Sequence, residues 1–530
     1  MLENDGKIIL VHGPGSGKTF TAVAGVERLR QLGRATKALV VTPSGLRTNF
    51  LEGGVQKATT RTGVIADNLQ EIDPAADYNI VSYEAFRKDP VGMMQRSGAD
   101  TLVLDEMHRI RNEDSATYHA IAAGRALAHS FIGLTGSFVN NSPDEIGPLL
   151  AISENNPSLT RGGFDSKFVQ RIGSVEGITG SRKPLVGVRD PAAFAKAVYP
   201  KIDYVNTEDI AGDKMPRKNV TNVYVPMSGE QYRLYQHAMD KLGPIADYIM
   251  SRNKNVRVGA TDRIFTQLME ARQVSNSVGR GLTNMTPARS AERTPKVQKL
   301  IGDTIQHLAD RPDNAVVLYS NLIHGGVDVL HAGLKAAGIP HALFIGKGTE
   351  VDQNHVTEVT RQAGVHDFKA GKIRAIIISG AGSEGLDLKN ASAFYALDGH
   401  FNPERILQAE ARARRLGGLA DRPPAERVVD VRRYQSVAPG AAGFDKLTAF
   451  LGMKPPMSVD QWIYSTAARK YKTNEQFYGV LRHPSKFLRK EVITGRDGTV
   501  RIKYVYPSEV RQPGMLAQWA GAPSVKVEDP

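Results

Sequence analysis

IILVHGPGSGKTFTAVAGVERLRQ, residues 8–31, carries a strand, a glycine-rich turn and a helix in direct succession. Ile8–Val11 is a continuous apolar run, the pattern of a parallel strand buried on both faces. Phe20–Gln31 reads as the helix. Between them Gly13, Pro14, Gly15, Ser16, Gly17, Lys18 and Thr19 form a P-loop in its required strand-to-helix context. The glycines let main-chain N–H groups turn in around phosphate oxygens, and the helix N-terminus adds its positive dipole end. Lys18 would reach the β- and γ-phosphates, and the Thr19 hydroxyl would ligate Mg2+. TLVLDEMH, residues 101–108, is the complementary half. An apolar strand delivers Asp105 to hold Mg2+ and Glu106 to orient and deprotonate the attacking water. His108 would couple this pair to the next motif.

Short β-rich runs alternate with helical ones in two stretches. The first holds Ile8–Val11, Ala38–Val41, Asn79–Ser82, Thr101–Leu104 and Ser130–Leu134; the second holds Ala315–Tyr319, His341–Ile345, Arg374–Ser379, Ala393–Leu397 and Arg427–Val431. This is the signature of two doubly wound α/β lobes. The expected division is a first lobe over 1–228 with an insertion at about 151–215, and a helical, basic insertion over 229–294. A second lobe would cover 295–440, and a closing helix, hairpin and tail 441–530. Met227–Leu242, Thr261–Val274 and Asp460–Leu481 read as helices, and Val492–Pro507 as a hairpin turning at Asp497-Gly498.

At 530 residues the chain is too long for one core. It has no cysteine, which excludes disulfides, thiol catalysis and cysteine-held metals. No apolar run reaches the roughly 18 residues of a membrane span. Met1–Lys7 lacks the layout of a secretory signal, so the expected location is cytoplasmic, in a bacterial or infected host cell. Lys and Arg outnumber Asp and Glu by 68 to 55, and the net charge of +13 suits a polyanionic partner.

ERILQAEARARRLGG, residues 404–418, carries Gln408, Arg412 and Arg415 on a helical pattern, with both arginines on one face. Arginine suits the spreading charge of a transferring phosphoryl group. The stretch follows IISGAGSEGLDL, residues 377–388, a strand running into a glycine-rich loop that contains Gly385.

In order along the chain these motifs resemble superfamily-two nucleic-acid motors, and within them the Swi/Snf-type ATPases, especially viral or phage members. Besides the P-loop, the resemblance rests on VVTPSGLRTNF (40–50), IVSYEAFR (80–87), DEMHRIRN (105–112) and LTGSFVNNSPDE (134–145). It continues through VYVPMSGEQYRLYQ (223–236), similar to the strand and helix that close the first lobe, and VVLYSNLIHGGVDVL (316–330). ISGAGSEGLDLKNAS (378–392), QAEARARRLG (408–417) and the closing-helix segment SVDQWIYSTAARKYKTNEQF (458–477) complete it.

The resemblance implies two tandem RecA-like lobes with ATP and Mg2+ in the cleft between them. Lys18, Thr19, Asp105 and Glu106 would act from one side, and Gln408, Arg412 and Arg415 from the other, with Gly385 among the nucleotide contacts. The implied activity is nucleic-acid-stimulated ATP hydrolysis driving translocation on duplex DNA without sequence reading. A strand-separating DNA or RNA helicase is the alternative; a non-hydrolysing nucleic-acid-binding scaffold is the alternative of another class. Ser44, Arg47, Asn49, Ser82, Asn321 and His324 are the implied backbone contacts. Two basic stretches, 251–293 at net +5 and 464–511 at net +7, are further candidate grips. Partner proteins from replication, repair or transcription are left unnamed.

The chain departs from the family pattern in places. The glutamine-bearing segment that reads adenine is not seen in the seven residues before Ile8. Met107 replaces a small residue in the Asp-Glu-x-His box, and Ser137-Phe138 replaces Thr-Pro. Ala411, Arg414 and Gly418 stand in for the usual residues around the motif arginines. None of these removes an atom that hydrolysis requires.

Overall fold

The computed structural model describes residues 6–13, 15–171, 185–243, 262–280, 282, 284–380, 386–439, 457–487, 489–494 and 500–505. Its frame is two parallel sheets flanked by helices. In the first, seven strands lie in the order Gly63–Ala66, Tyr78–Ser82, Ala38–Thr42, Thr101–Leu104, Ser130–Thr135, Lys7–His12, Ile202–Val205. In the second, six lie in the order Arg217–Pro226, Val428–Val437, Ala393–Ala396, Val316–Tyr319, Ala375–Ile378, His341–Phe344. The central strands have no polar face because helices cover both sides. Val40, Val41, Ile80, Val81, Leu102 and Val103 are each at most 1% exposed.

Close packing accounts for one departure in the sequence. Met107 is fully buried, and a Cβ added at Gly133 on the neighbouring strand would lie 2.4 Å from its sulfur. The large side chain in Asp-Glu-Met-His is thus accommodated by a residue that has none.

Two expected boundaries are corrected. The first lobe was expected to run to residue 228, yet Arg217–Pro226 belongs to the second sheet. It pairs along its full length with Val428–Val437, from Arg217↔Val428 to Pro226↔Val437. The insertion expected at 151–215 contains Ile202–Val205, which pairs with Lys7–His12 as the outer strand of the first sheet. Both are edge strands, where one side needs no apolar cover, so their polar residues hid them.

A 24-residue helix, Val459–Arg482, spans the two lobes. Ser458 and Gln461 form a capping box at its start. There Asp460 Oδ2 accepts from Lys296 Nζ (2.6 Å), Ser275 Oγ (2.7 Å) and Ser436 N (2.8 Å), all in the second lobe's half of the molecule. At its other end Phe477, Tyr478, Val480 and Leu481 join the core of the first lobe. The hairpin pairs Arg489–Thr494 with Val500–Val505; its expected Asp497-Gly498 turn and the tail lie outside the described residues.

Candidate active site

The P-loop opens the helix Lys18–Gln31 at the C-terminal end of Lys7–His12. Gly15 and Gly17 have φ of 80° and 85°, left-handed values that cost an L side chain energy. Lys18 folds back over the loop, its Nζ donating to His12 O (3.0 Å) and Gly13 O (3.3 Å). Ser16 Oγ donates to Gly13 O at 2.7 Å. Thr19 stands on the first helical turn, its methyl group against Gly54. Pro14 lies outside the described residues.

Asp105 and Glu106 follow the strand Thr101–Leu104, beside Ala38–Thr42. That register lets Thr42 Oγ1 donate to Asp105 Oδ2 at 2.9 Å, while the Tyr83 hydroxyl donates to Asp105 O at 2.7 Å. Glu106 sits in the left-handed region, φ 51° and ψ 48°. Such a conformation in a non-glycine residue concentrates at functional sites. Its Oε2 lies 3.1 Å from His108 Nδ1.

Burial and the adjacent Glu106 push the Asp105 carboxyl up to about 7. Burial acts the same way on Glu106, but His108, Lys18 and Arg412 outweigh it and hold that carboxyl below its ordinary range. Glu106 is therefore held toward its ionised form, the state a proton acceptor needs. Burial pulls the Lys18 ammonium down, against Glu106 and Asp105 and with help from Arg415 and Arg412.

Those arginines come from the second lobe. The helix Pro403–Ala413 is anchored by buried Glu410, which accepts from Arg433 at 2.6 Å and Lys218 at 3.0 Å. Gln408 Nε2 then donates across the cleft to Ser137 Oγ at 3.2 Å. Arg415 donates to Leu386 O at 2.7 Å and lies 4.0 Å from Asp387. Burial and Arg412 bring its pKa down to about 10, so it remains cationic at neutral pH. A Cβ at Gly15 would lie 3.8 Å from Leu416, so the second lobe faces the P-loop directly. Arg414 is turned away from the cleft, donating to Pro216 O and pairing with Glu208. Lys18, Asp105, Glu106, Gln408, Arg412 and Arg415 are thus brought together, while Gly385 lies outside the described residues.

The candidate nucleic-acid residues lie at or just after the C-terminal ends of parallel strands, as the P-loop does. Ser44 and Asn49 are exposed, and His324 is exposed beside Asp328. Asn321 N donates to Asp398 Oδ1 at 3.1 Å. Two other candidates have side chains already engaged within the protein. Ser82 is buried and caps the helix Tyr83–Phe86 by accepting from Ala85 N. Arg47 is engaged by Asp67 and by Ser44 O.

In the basic stretch 251–293 Arg280 and Arg289 are exposed, while two other arginines are engaged within the protein. Arg272 is buried, donating to Gly399 O at 2.9 Å, and Arg293 pairs with Glu230 at 2.6 Å. In the second stretch Arg482 pairs with Glu475 at 2.7 Å; the side chains from 488 onward lie outside the described residues. Arg111, Ser137, Thr42 and Tyr478 carry contacts that the sequence did not signal, because each depends on a partner distant along the chain.

The SNF2-related domain matches residues 2–279, and the Helicase conserved C-terminal domain matches residues 299–417. The putative ATP-dependent RNA helicase L538 of Acanthamoeba polyphaga mimivirus is 23% identical over 442 residues, 83% of this chain and 87% of its own length. The DNA repair and recombination protein RAD54 of Oryza sativa subsp. japonica is 24% identical over 470 residues, 79% of this chain and 46% of its own. The SWI2/SNF2 ATPase core of Sulfolobus solfataricus in complex with dsDNA is similar over 90% of this chain and 92% of its own, at 18% identity and a TM-score of 0.33. With one domain match alone spanning more than half of its residues, the chain belongs to the SNF2-related family, as an ATP-hydrolysing enzyme of the helicase-like, translocase type.

Proposed function

We propose that this protein uses Mg2+-dependent ATP hydrolysis to step along the phosphate backbone of duplex DNA without reading its sequence. The observation that carries the reading is the Gln408–Ser137 contact at 3.2 Å, which places the arginine helix of one lobe over the phosphate loop of the other. Lys18 would leave its main-chain acceptors to meet the β- and γ-phosphates. Glu106 would take the proton of the attacking water. Arg412 and Arg415 would meet the charge that spreads over the transferring phosphoryl group, an effect worth about 10³–10⁵ in rate.

Thr19 and Asp105 supply the hydroxyl and carboxylate oxygens that suit a hard divalent cation, and they would hold Mg2+. Held by these two residues, Mg2+ would supply positive charge to offset that of the phosphates. Because the arginines belong to a separate lobe, turnover depends on lobe closure. Nucleic acid lying across both lobes would favour the closed state, and cycles of closing and opening would move one lobe along the strand. Exposed Ser44, Asn49 and His324 are the proposed backbone contacts.

The test is the ATPase rate with no nucleic acid, single-stranded DNA, duplex DNA and RNA. Duplex DNA should stimulate most. Equal rates in all four would end the proposal, and stimulation by RNA alone would favour the track in the mimivirus relative's name. Triplex displacement without strand displacement would separate stepping from unwinding.

A further inference from the structure

The turn Thr135–Val139 is touched from three directions. At Gly136 the backbone faces the ATP-site lysine: a Cβ there would lie 3.8 Å from Lys18 Nζ. The Ser137 hydroxyl accepts from Gln408 of the second lobe at 3.2 Å and from Arg111 at 3.4 Å. The next two main-chain N–H groups, of Phe138 and Val139, both donate to the Tyr478 hydroxyl, at 2.8 and 3.0 Å. Phe138, Val139 and Tyr478 are buried, so water does not replace that acceptor.

The other end of Tyr478's helix is fixed in the second lobe by Asp460, on Lys296, Ser275 and Ser436. Neighbouring contacts hold the near end in place. Asn474 Nδ2 donates to Asn140 O at 3.2 Å, and the Phe477 ring meets Phe194 edge-on at 5.2 Å. One phenol oxygen therefore ties a helix that spans both lobes to the turn that meets Gln408. The tie depends on a departure noted in the sequence. Where the family pattern has proline, this chain has Phe138, whose N–H the phenol accepts; proline has none to give.

We infer that Tyr478 is a positioning residue for the ATPase: its hydroxyl sets the Thr135–Val139 turn so that Ser137 receives Gln408 when the lobes close. It touches no reacting atom. The inference rests on the proposed closure-dependent turnover, and its failure can be told apart from failure of that reading.

The experiment compares the full-length protein with Tyr478→Phe, which keeps the ring packing and removes only the oxygen. ATP turnover is measured with and without duplex DNA, beside the melting temperature. The expected result is a KM for ATP within about twofold of wild type and a DNA-stimulated kcat lower by about tenfold or more, since each of the two buried N–H groups left without an acceptor shifts an equilibrium by about that order. A lower melting temperature with the stimulated-to-basal ratio unchanged would make Tyr478 merely structural and overturn the inference. Should Tyr478→Phe fail to fold, Ser137→Ala tests the same path. It should lose stimulated kcat at constant KM, and normal stimulation in that variant would overturn the inference as well. If both variants fold, their losses should be less than additive, since they cut one path; fully additive losses would place the two residues on separate paths and also overturn it. If the wild-type enzyme itself shows no stimulation, the closure reading has failed, and Tyr478 has no stimulated step to position.

Discussion

Asp460→Ala should be one of the most damaging single changes in the molecule, although it lies outside the ATP site. The Lys296 ammonium is 0% exposed, with Nζ 2.6 Å from Asp460 Oδ2 and 2.6 Å from Asn276 Oδ1. Removing the carboxylate leaves a buried cation with one neutral acceptor, and Ser275 Oγ and Ser436 N lose theirs. Breaking a buried pair from one side costs about 3–5 kcal/mol. A unit of this size loses about 2–4 °C of melting temperature per kcal/mol, so the variant should melt roughly 10 °C below wild type. Calorimetry on the full chain reads this directly. Lys296→Met in the same background should recover most of the loss, because an apolar side chain of similar length has no charge to leave unpaired. Asp460→Ala melting within about 1 °C of wild type, against the order expected for a broken buried pair, would refute the argument. So would a Lys296→Met change that deepens the loss.

Three further outcomes follow from the site. Glu106→Gln should bind ATP but lose turnover by about 10²–10⁴, since an amide cannot accept the water's proton; absence of nucleotide binding would make Glu106 structural instead. Arg415→Ala should lower DNA-stimulated kcat by about 10³ or more with DNA affinity nearly unchanged, and full stimulation would mark it as an ordinary surface arginine. Glu404, at the start of the arginine helix, has its carboxyl pushed up to about 8 by burial first and by Glu475 and Glu145, against Arg111. The folded chain therefore keeps a proton that the unfolded chain releases near the ordinary value of 4.5, and stability should fall as pH rises from there through about 8. Denaturant midpoints of Glu404→Gln across that range should show a shallower fall; an unchanged slope would remove the assignment.

The parts of the protein legible in its sequence are those whose cause is local. Buried parallel strands such as Val316–Tyr319 need four apolar residues in a row, and the P-loop needs its glycines, lysine and hydroxyl within seven positions. Asp105 and Glu106 were legible because the strand before them is apolar. Arg217–Pro226 was assigned to the wrong lobe because an edge strand may be polar and because pairing partners 200 residues away leave no trace in its pattern. The nucleic-acid candidates were named from position, and position does not reveal that Ser82 caps its own helix or that Arg47 answers Asp67. Tyr478 was passed over for a related reason: its role lies in a hydroxyl meeting main chain 339 and 340 positions away.

The early departure of Arg217–Pro226 into the second sheet bears on how the protein can be taken apart. A fragment ending at 228 would carry a ten-residue strand with no sheet to join. Its counterpart beginning at 229 would present the whole length of Val428–Val437 as an open ladder of N–H and C=O groups, a template for aggregation. A cut a few residues before Arg217 gives each fragment its complete sheet. Halves made there would still have to return Phe477, Tyr478, Val480 and Leu481 to the core of the first lobe before activity recovers, whereas halves made at 228 would have to return the borrowed strand as well.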